Sequence, residues 1–413
     1  MHSNGTVKTF SLAAQAVVTP KRFANKPLRI NQKKIDSIGG TAPLHLSFKD
    51  AFVFPALINL HDHLRGNYLP KVGPPDGTFY LRCHDWEKDL RASAVVAERA
   101  KVSEEDIYFV SAYKNLFSGV ATVNDHFPHK INDAYIPKLP IRVIREYTLH
   151  HEATSYALPW GEGIEIEHQR ARDKNLPFII HLEEGFDAEY QRGVDLLEEL
   201  DCLDDHNIQI HCVGFSDEDI RKTKKAGATV GWCPASNVYM YNLTCKIKKM
   251  LEAGINVALG TDSTATGSLN LLEEIRFARS IYRKMYGEEL DARLLFDMVT
   301  INPAKAFRIS RTTGSLEEGK LADVLVVKQK DDDPFESLVK TDIEDIELLL
   351  LEGKPLLAGK EHEELFFARK QPYSEISLKG RPMLVKGDPV SLLSRIREAV
   401  GYKKVLDFMP IDL

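Results

Sequence analysis

The chain has 413 residues, of which 43% are hydrophobic and 28% are charged, as in an ordinary globular protein. This length exceeds what one small core needs, so we expect one large domain and one smaller domain. The net charge is −6 without a strong basic block, which argues against nucleic acid as the main partner. No apolar run approaches a membrane span and the N-terminus lacks a signal pattern, so no membrane partner is expected.

The cysteines are odd in number, and no pair of them forms a CxxC motif. Such a set does not indicate a disulfide framework. We therefore expect reduced thiols in a cytoplasmic protein.

Short strands are predicted over residues 1–50, which end at the Gly39-Gly40 pair. This segment carries too little apolar surface to bury a core alone. We therefore expect it to pack on a segment that is distant in sequence.

The stretch PALINLHDH (55–63) is typical of a short apolar strand that ends in two histidines. Side chains alternate between the faces of a strand, so His61 and His63 point to one side and Asp62 to the other. Two neutral imidazoles on one face can chelate a divalent ion such as Zn²⁺ or Fe²⁺. Taken alone, the pattern is equally compatible with a pair of ordinary surface histidines.

A long polar loop follows over residues 64–86 and carries Arg65 and Trp86. A loop of this length inside a compact domain is usually functional or mobile. It leaves directly from the histidine pair, which favours a substrate cover over a solvated excursion.

Beyond the loop, apolar strands alternate with helical patterns, and polar clusters follow the strands. Helices are predicted at 87–118, 161–174, 187–200, 217–225, 245–253, 269–286 and 294–309, and strands at 120–124, 141–149, 177–180, 208–210, 229–233, 256–259, 321–327 and 346–351. The alternation argues for a parallel sheet. Polar clusters after at least five strands favour a closed (β/α) barrel over an open doubly wound sheet, which gathers its ligand at one switch point.

Seven motifs follow one another along the chain, and their order and spacing together are specific for one protein family. They are PALINLHDH (55–63), IHLEEG (180–185), IHCV (210–213), CPASN (233–237), GTD (260–262), TINPAKA (300–306) and GSLEEGKLADVLVV (314–327). With these motifs the chain resembles the amidohydrolase superfamily, in its cytosine deaminase, guanine deaminase and chlorohydrolase-like branch, over roughly residues 5–360.

The resemblance implies a TIM-like (β/α)8 barrel over 51–312 and a small β-sandwich built from both chain ends, 1–50 and 313–360. Only about 55 residues separate Asp125 from His181, so we expect one β/α unit to be shortened or missing. The extension 361–413 has no assigned role, and a helix is predicted from Asp388-Pro389 to about residue 401.

The resemblance also implies a metal site and its chemistry. His61, His63 and His181 would supply three nitrogen ligands and Asp262 an oxygen ligand to one divalent ion, with Zn²⁺ favoured over Fe²⁺. The ion would activate a water whose proton Asp262 takes. Glu184 would act as general acid and base, although the adjacent Glu183 is an alternative.

His211 would hydrogen-bond the attacking hydroxide or the substrate, and its alternative is a core histidine satisfied by backbone. Substrate contacts are predicted for Arg65, Trp86, His126, Ser236 and Asn237. Ser236 or Asn237 could instead cap a helix. The run His150-His151-Glu152 leaves a second metal site open.

We therefore predict a metal-dependent hydrolase of C–N bonds other than peptide bonds. An aminohydrolase of a purine, pyrimidine or related heterocycle is favoured, with a small-molecule heterocyclic substrate as partner. The alternatives are hydrolysis of a cyclic amide or of a ring carbon–chlorine bond in the same fold, and a catalytically silent metal-binding scaffold. A homo-oligomer stays open.

Overall fold

The computed structural model describes residues 7–74 and 76–412. The first six residues of the predicted segment 1–50 and Pro75 of the loop 64–86 therefore lie outside the described residues.

Twenty strands are present in the described chain. They are β1 (Thr9–Ala13), β2 (Ala16–Val18), β3 (Phe23–Ala24), β4 (Leu28–Asn31), β5 (Lys34–Ile38), β6 (Leu44–Ser47), β7 (Ala51–Pro55), β8 (Leu57–Asp62), β9 (Val120–Asp125), β10 (Arg142–Val143), β11 (Thr148–Glu152), β12 (Phe178–Leu182), β13 (Asn207–His211), β14 (Thr229–Trp232), β15 (Asn256–Leu259), β16 (Val324–Lys328), β17 (Ile346–Leu351), β18 (Lys354–Gly359), β19 (Ser374–Leu378) and β20 (Arg381–Val385).

Fifteen α-helices connect these strands within residues 7–74 and 76–412. They are α1 (Cys83–Ala92), α2 (Ala94–Arg99), α3 (Glu104–Phe117), α4 (His129–Asn132), α5 (Ile164–Lys174), α6 (Gly193–Glu199), α7 (Asp217–Ala226), α8 (Pro234–Tyr241), α9 (Ile247–Glu252), α10 (Leu271–Tyr286), α11 (Ala292–Met298), α12 (Ile301–Ala306), α13 (Pro334–Val339), α14 (Glu363–Ala368) and α15 (Pro389–Val400).

The site-bearing part of the fold consists of two parallel sheets. Their strand orders are β10-β9-β8 and β11-β12-β13-β14-β15. Among the described residues, no continuous ladder of backbone hydrogen bonds joins the two sheets. A single bond does so between β8 and the end of β15, where the amide of Asp262 donates to the carbonyl of His61 at 3.1 Å. The carboxyl ends of β8 and β15 therefore lie side by side, as the expected barrel requires.

The predicted strand 141–149 is wrong as a single strand. It divides into β10, which pairs with β9, and β11, which pairs with β12. Only residues 144–147 connect the two strands, without a helix. This connection is the shortened unit that the spacing between Asp125 and His181 predicts.

The predicted helix 87–118 is also wrong as a single helix, because it is three helices, α1 to α3. Ser93 accepts from the amide of Val95 at the start of α2, and Ser103 accepts from the amide of Asp106 at the start of α3. These two serines are N-caps, and each one starts a new helix. The predicted helix 294–309 likewise divides into α11 and α12.

The remaining strands form a four-stranded sheet and an eight-stranded sheet. The N-terminal strand β7 pairs antiparallel with β16, which lies beyond the barrel segment in the chain. Phe10 and Val53 share one buried apolar cluster with Val324, Val326 and Leu348. The two distant segments therefore bury a common core, which neither could build alone.

The extension 361–413 packs against the rest of the fold. Strands β19 and β20 continue the eight-stranded sheet beyond β18. The predicted helix after Asp388 is α15, and Asp388 caps it by accepting from the amide of Ser391. The guanidinium of Arg395 on α15 contacts Asp106 on α3 at 2.6 Å. Among the described residues, no helix is long and apolar enough to cross a membrane.

Glu274 on α10 makes the stability of the fold depend on pH. Its side chain is buried; Oε1 accepts from the amide of Ala235 at 3.0 Å, and Oε2 has no partner. Burial raises the pKa of Glu274 from 4.5 to about 7. The unfolded chain releases this proton near pH 4.5 and the folded protein only near pH 7, so stability falls across that window.

We expect Glu274→Gln to remove this loss of stability, because glutamine does not titrate. The difference in free energy of unfolding, variant minus original protein, should therefore grow by about 1–3 kcal/mol from pH 5 to pH 8. Urea unfolding at several pH values measures it. An equal difference at all pH values would contradict the assignment.

Candidate metal centre and active site

Four imidazoles converge at the carboxyl ends of the strands. They belong to His61 and His63 of the β8 end, His126 after β9, and His181 on β12. One ring nitrogen from each lies within 4.8 Å of the others. The nitrogens of His61 and His126 are buried without a hydrogen-bond partner. Buried polar atoms are rarely left unpaired, so this set of nitrogen donors fits a metal ion.

The protonation of the rings also suits a metal ion. Burial lowers the pKa values of His61, His126 and His181 well below their usual value, and that of His63 is lowered too. The rings are therefore neutral and offer lone pairs, as Zn²⁺ or Fe²⁺ requires. Nδ1 of His181 faces the backbone carbonyl of His151 at 2.8 Å, which directs Nε2 toward the cluster.

Asp262 follows β15 and faces this cluster. Its Oδ1 lies 3.8 Å from Nε2 of His63, and its Oδ2 accepts from Oγ of Ser236 at 2.7 Å and from Oγ1 of Thr266 at 3.0 Å. Burial opposes ionisation, but the nearby His63 and His211 and the hydrogen bonds from the hydroxyl of Ser236 and the amide of Ser263 hold the pKa of Asp262 below its usual value. The side chain is an ionised oxygen donor beside neutral nitrogen donors.

Glu184 occupies the wall of the same cavity. Its Oε1 accepts from the hydroxyl of Tyr241 at 3.2 Å, and its Oε2 lies 3.6 Å from Nε2 of His211. Burial raises the pKa of Glu184 to about 7. This carboxyl can therefore hold or release a proton at neutral pH, as a general acid–base group must.

His211 is oriented by an amide side chain. Nδ2 of Asn237 donates to Oγ1 of Thr244 at 3.0 Å. Oδ1 of Asn237 therefore faces Nδ1 of His211, at 2.8 Å. Nδ1 of His211 must then carry the proton, and Nε2 faces Glu184. His211 has a φ of 72°, a left-handed conformation that costs energy outside glycine and is frequent at functional sites.

Glu183 points away from this cavity. Its Oε1 accepts from the amide of Val194 at 3.1 Å, and its side chain does not line the cavity. The geometry therefore favours Glu184 over Glu183 as the acid–base residue.

A cavity of about 390 Å³ opens onto these groups. Its walls are largely apolar and aromatic, with Trp86, Phe127 and Trp160 among the lining residues. Arg65 also lines it, but its guanidinium is held by the carboxylate of Glu104 at 2.9 and 3.0 Å. The indole of Trp86 donates to the carbonyl of Val72 at 3.1 Å, which ties α1 to the loop before it. Arg65 and Trp86 thus line the cavity, and their contact with a substrate stays a prediction.

The other predicted substrate residues lie elsewhere. His126 belongs to the imidazole cluster. Ser236 and Asn237 are fully buried behind the cavity wall and contact Asp262 and His211. The alternative that either residue caps α8 is not adopted, since the cap residue is Cys233 and it makes no side-chain cap bond.

The run His150-His151-Glu152 belongs to no group of three close ligand atoms within residues 7–74 and 76–412. Nε2 of His151 lies 3.2 Å from Oε1 of Glu87, and Glu152 accepts from the hydroxyl of Tyr190 at 2.7 Å. The polar atoms of His151 and Glu152 are thus engaged with protein partners, and nothing in this part of the structure supports a second metal site there.

Sequence reasoning missed Cys83, Glu87, Lys114 and Tyr241. Cys83 and Glu87 line the cavity, and Tyr241 holds Glu184. Contacts such as these join segments far apart in the chain and leave no local pattern. Lys114 left a signal, because it shares the buried face of α3 with Ile107, Val110 and Ser111, at helical spacing.

Residues 162–356 match the Amidohydrolase family. This match covers a little less than half of the chain, and it agrees with the resemblance to the amidohydrolase superfamily that the motifs indicate.

Two relatives are 5-methylthioadenosine/S-adenosylhomocysteine deaminases. The enzyme of Pyrococcus abyssi is 37% identical over 169 residues, which is 38% of this chain and 39% of that protein. The enzyme of Thermoanaerobacter pseudethanolicus is 27% identical and covers 74% of this chain and 82% of its own length. A solved structure with the same fold is the atrazine chlorohydrolase of Arthrobacter aurescens complexed with zinc, with a TM-score of 0.74 at 20% identity over 94% of this chain and 99% of that one.

We expect one tightly held divalent ion per chain at this cluster. Elemental analysis of untagged protein should give about one equivalent. His61→Ala and His181→Ala should each lower the content below half an equivalent, because each removes a nitrogen donor.

The matched control for this experiment is His129→Ala, which should keep its ion, because Nε2 of His129 faces the backbone carbonyl of Tyr147 at 3.0 Å and the ring lies outside the cluster. A further variant, His126→Asn, tests the fourth imidazole of the cluster. Loss of the ion from His126→Asn would make His126 a ligand, and wild-type content in His181→Ala would refute the predicted set.

Proposed function

We propose that the protein is a metal-dependent aminohydrolase of a heterocyclic amine. The observation that carries this proposal is Glu184, a buried carboxyl with a pKa near 7, which has an oxygen within 4.8 Å of a ring nitrogen of both His211 and His181. A silent metal-binding scaffold needs no such group, whereas removal of an amine from a ring needs a proton carrier.

The proposed metal ligands are His61, His63, His181 and Asp262. When bound, the ion would lower the pKa of a water toward neutrality and supply a nucleophile. Asp262 is ionised and close to His63, so it can accept the proton that this water loses. Ser236 and Thr266 hold its other oxygen and so fix the direction of the carboxylate.

Glu184 has two proposed tasks. Attack on a ring carbon places electrons on the adjacent ring nitrogen, which then needs a proton. The departing amine also needs one, because an amide anion is a poor leaving group. Glu184 can take a proton from Asp262 or the water and pass it on, and Tyr241 fixes its position. Nε2 of His211 is free to accept a hydrogen bond from the nucleophile, since Asn237 occupies Nδ1.

The cavity supports an aromatic substrate. Trp86, Phe127 and Trp160 offer flat apolar surfaces, against which a heterocycle can stack. The relatives named as deaminases of methylthioadenosine make 6-aminopurine nucleosides the first compounds to test. An apolar wall also fits an alkylthio substituent, with Leu69, Met240 and Ala265 on the cavity surface.

We also propose the domain division expected from the sequence. Strands β8 to β15 would act as a (β/α)8 barrel within 51–312, and segments 1–50 and 313–360 would form one β-sandwich. Segment 361–413 would extend and brace these two parts. Location in the cytoplasm stays a prediction.

Ammonia release from a panel of compounds tests the activity. Adenosine, 5′-deoxyadenosine, methylthioadenosine, guanine and cytosine should include at least one substrate that releases one ammonia per molecule. A chlorotriazine and a cyclic amide serve as the competing classes. Chloride release or ring opening without ammonia would replace the deaminase proposal, and turnover of none of these compounds would contradict it.

Glu184→Gln tests the mechanism. The amide keeps the shape of the side chain and removes its titrating proton. We expect kcat to fall by roughly two to four decades with unchanged metal content, because general acid–base catalysis is worth about 10²–10⁴-fold.

Glu183→Gln is the matched control, since it makes the same change one residue away and outside the cavity. It should keep near-full kcat. A reversed result would assign the proton transfer to Glu183, and loss of the metal from Glu184→Gln would make Glu184 a ligand.

A further inference from the structure

A buried ion pair lies on the side of β8 that faces away from the imidazole cluster. Nζ of Lys114 on α3 lies 3.0 Å from Oδ2 of Asp62, and both side chains are essentially inaccessible, at 1% and 0% exposed. Taking two charges out of water is costly, so such a pair persists only where other contacts complete it. None of the proposed chemistry uses either residue.

Three further hydrogen bonds satisfy the buried carboxylate of Asp62. Its Oδ2 also accepts from the amide of Asn115 at 3.0 Å and from that of Asn59 at 3.3 Å. Its Oδ1 accepts from the amide of Asn67 at 2.7 Å. The carboxylate therefore joins β8 to α3 and to the start of the loop 64–86.

Lys114 completes the link to β15. Its ammonium donates to Oγ1 of Thr261 at 3.0 Å and to the backbone carbonyl of Asp262 at 3.3 Å. One side chain thus contacts the residue between His61 and His63 and also the backbone of Asp262. The β8–β15 junction lacks a continuous ladder in the described chain, and Lys114 spans it.

We propose that Lys114 and Asp62 are positioning residues of the metal centre, and this rests on the ligand set proposed above. By holding β8 and the β15 end at a fixed separation, the pair sets the distance between the Asp262 carboxylate and the rings of His61 and His63. The ligand atoms are then already in their binding positions before the ion arrives. Supporting residues behind metal ligands typically contribute 10–100-fold to metal affinity.

A merely structural role predicts a different result. A pair that only stabilises the fold would change the stability of the protein without changing how the folded protein holds its ion. The measurement must therefore be made on folded, metal-loaded protein, and it must not depend on turnover.

The test is the double variant Lys114→Met/Asp62→Asn, which removes both charges. Removing both partners of a buried pair is often neutral for stability, whereas removing one leaves an unpaired charge. We expect the double variant to fold and to release zinc to a chromogenic chelator 10–100-fold faster than the original protein. Its cobalt-substituted form should show a shifted visible absorption band, because the ligand geometry has relaxed.

Two further variants keep the test decisive. Thr261→Val retains both charges and removes one contact of Lys114, so a smaller increase in zinc release is expected. Tyr113→Phe is the matched control on the same helix, since its hydroxyl donates to the carbonyl of Lys386, away from the ligands. It should release zinc at the original rate.

Original zinc release and an original cobalt spectrum in the double variant would overturn the proposal. Equal acceleration in Tyr113→Phe would also overturn it, since general loosening would then explain the effect. If the double variant does not fold, Thr261→Val decides by the same criteria. Zinc release needs no substrate, so failure of the deaminase proposal leaves this test intact.

Discussion

The site depends on one constraint, the opposite orientation of neighbouring side chains at the end of a strand that is buried on both faces. Every residue of β8 is buried. The pairing with β9 shifts register between Asn59 and Asp62, so these two side chains meet on one side of the strand. His61 then faces the imidazole cluster and Asp62 the opposite side, and a further shift of one residue would exchange them. The metal face and the ion pair behind it are thus fixed by one register, and Lys114 and Asp262 are placed by their contacts with that strand.

Two buried carboxyls of the same cavity differ in their proton affinity because their neighbours differ. Asp262 has His63, His211, the hydroxyl of Ser236 and the amide of Ser263 around it, and these overcome the cost of burying its charge. Glu184 has a tyrosine hydroxyl and a more distant histidine, and burial prevails. One is held as an anion and the other is poised to exchange a proton, a separation of tasks that aminohydrolysis needs.

Sequence analysis located the site residues at the ends of strands. It missed the residues whose contacts link segments that are distant in the chain. His61, His63, His181, His211 and Asp262 follow apolar runs, so pattern and resemblance located them. The break between β10 and β11 was not visible, because residues 141–149 are apolar enough for one strand and the turn carries no glycine or proline. Ser236 and Asn237 were assigned to substrate because their burial behind Asp262 and His211 depends on how α8 packs.

The pairing of β7 with β16 has a consequence for biosynthesis. On the ribosome, β7 emerges just before β8, whereas β16 follows only after all eight site-bearing strands. Until then one edge of β7 has no partner, and an unpaired apolar edge invites association with other chains. Contacts of such long sequence separation form slowly. The nascent chain thus carries a vulnerable edge through most of its synthesis, and molecular chaperones that shield extended apolar segments would act on it in that interval.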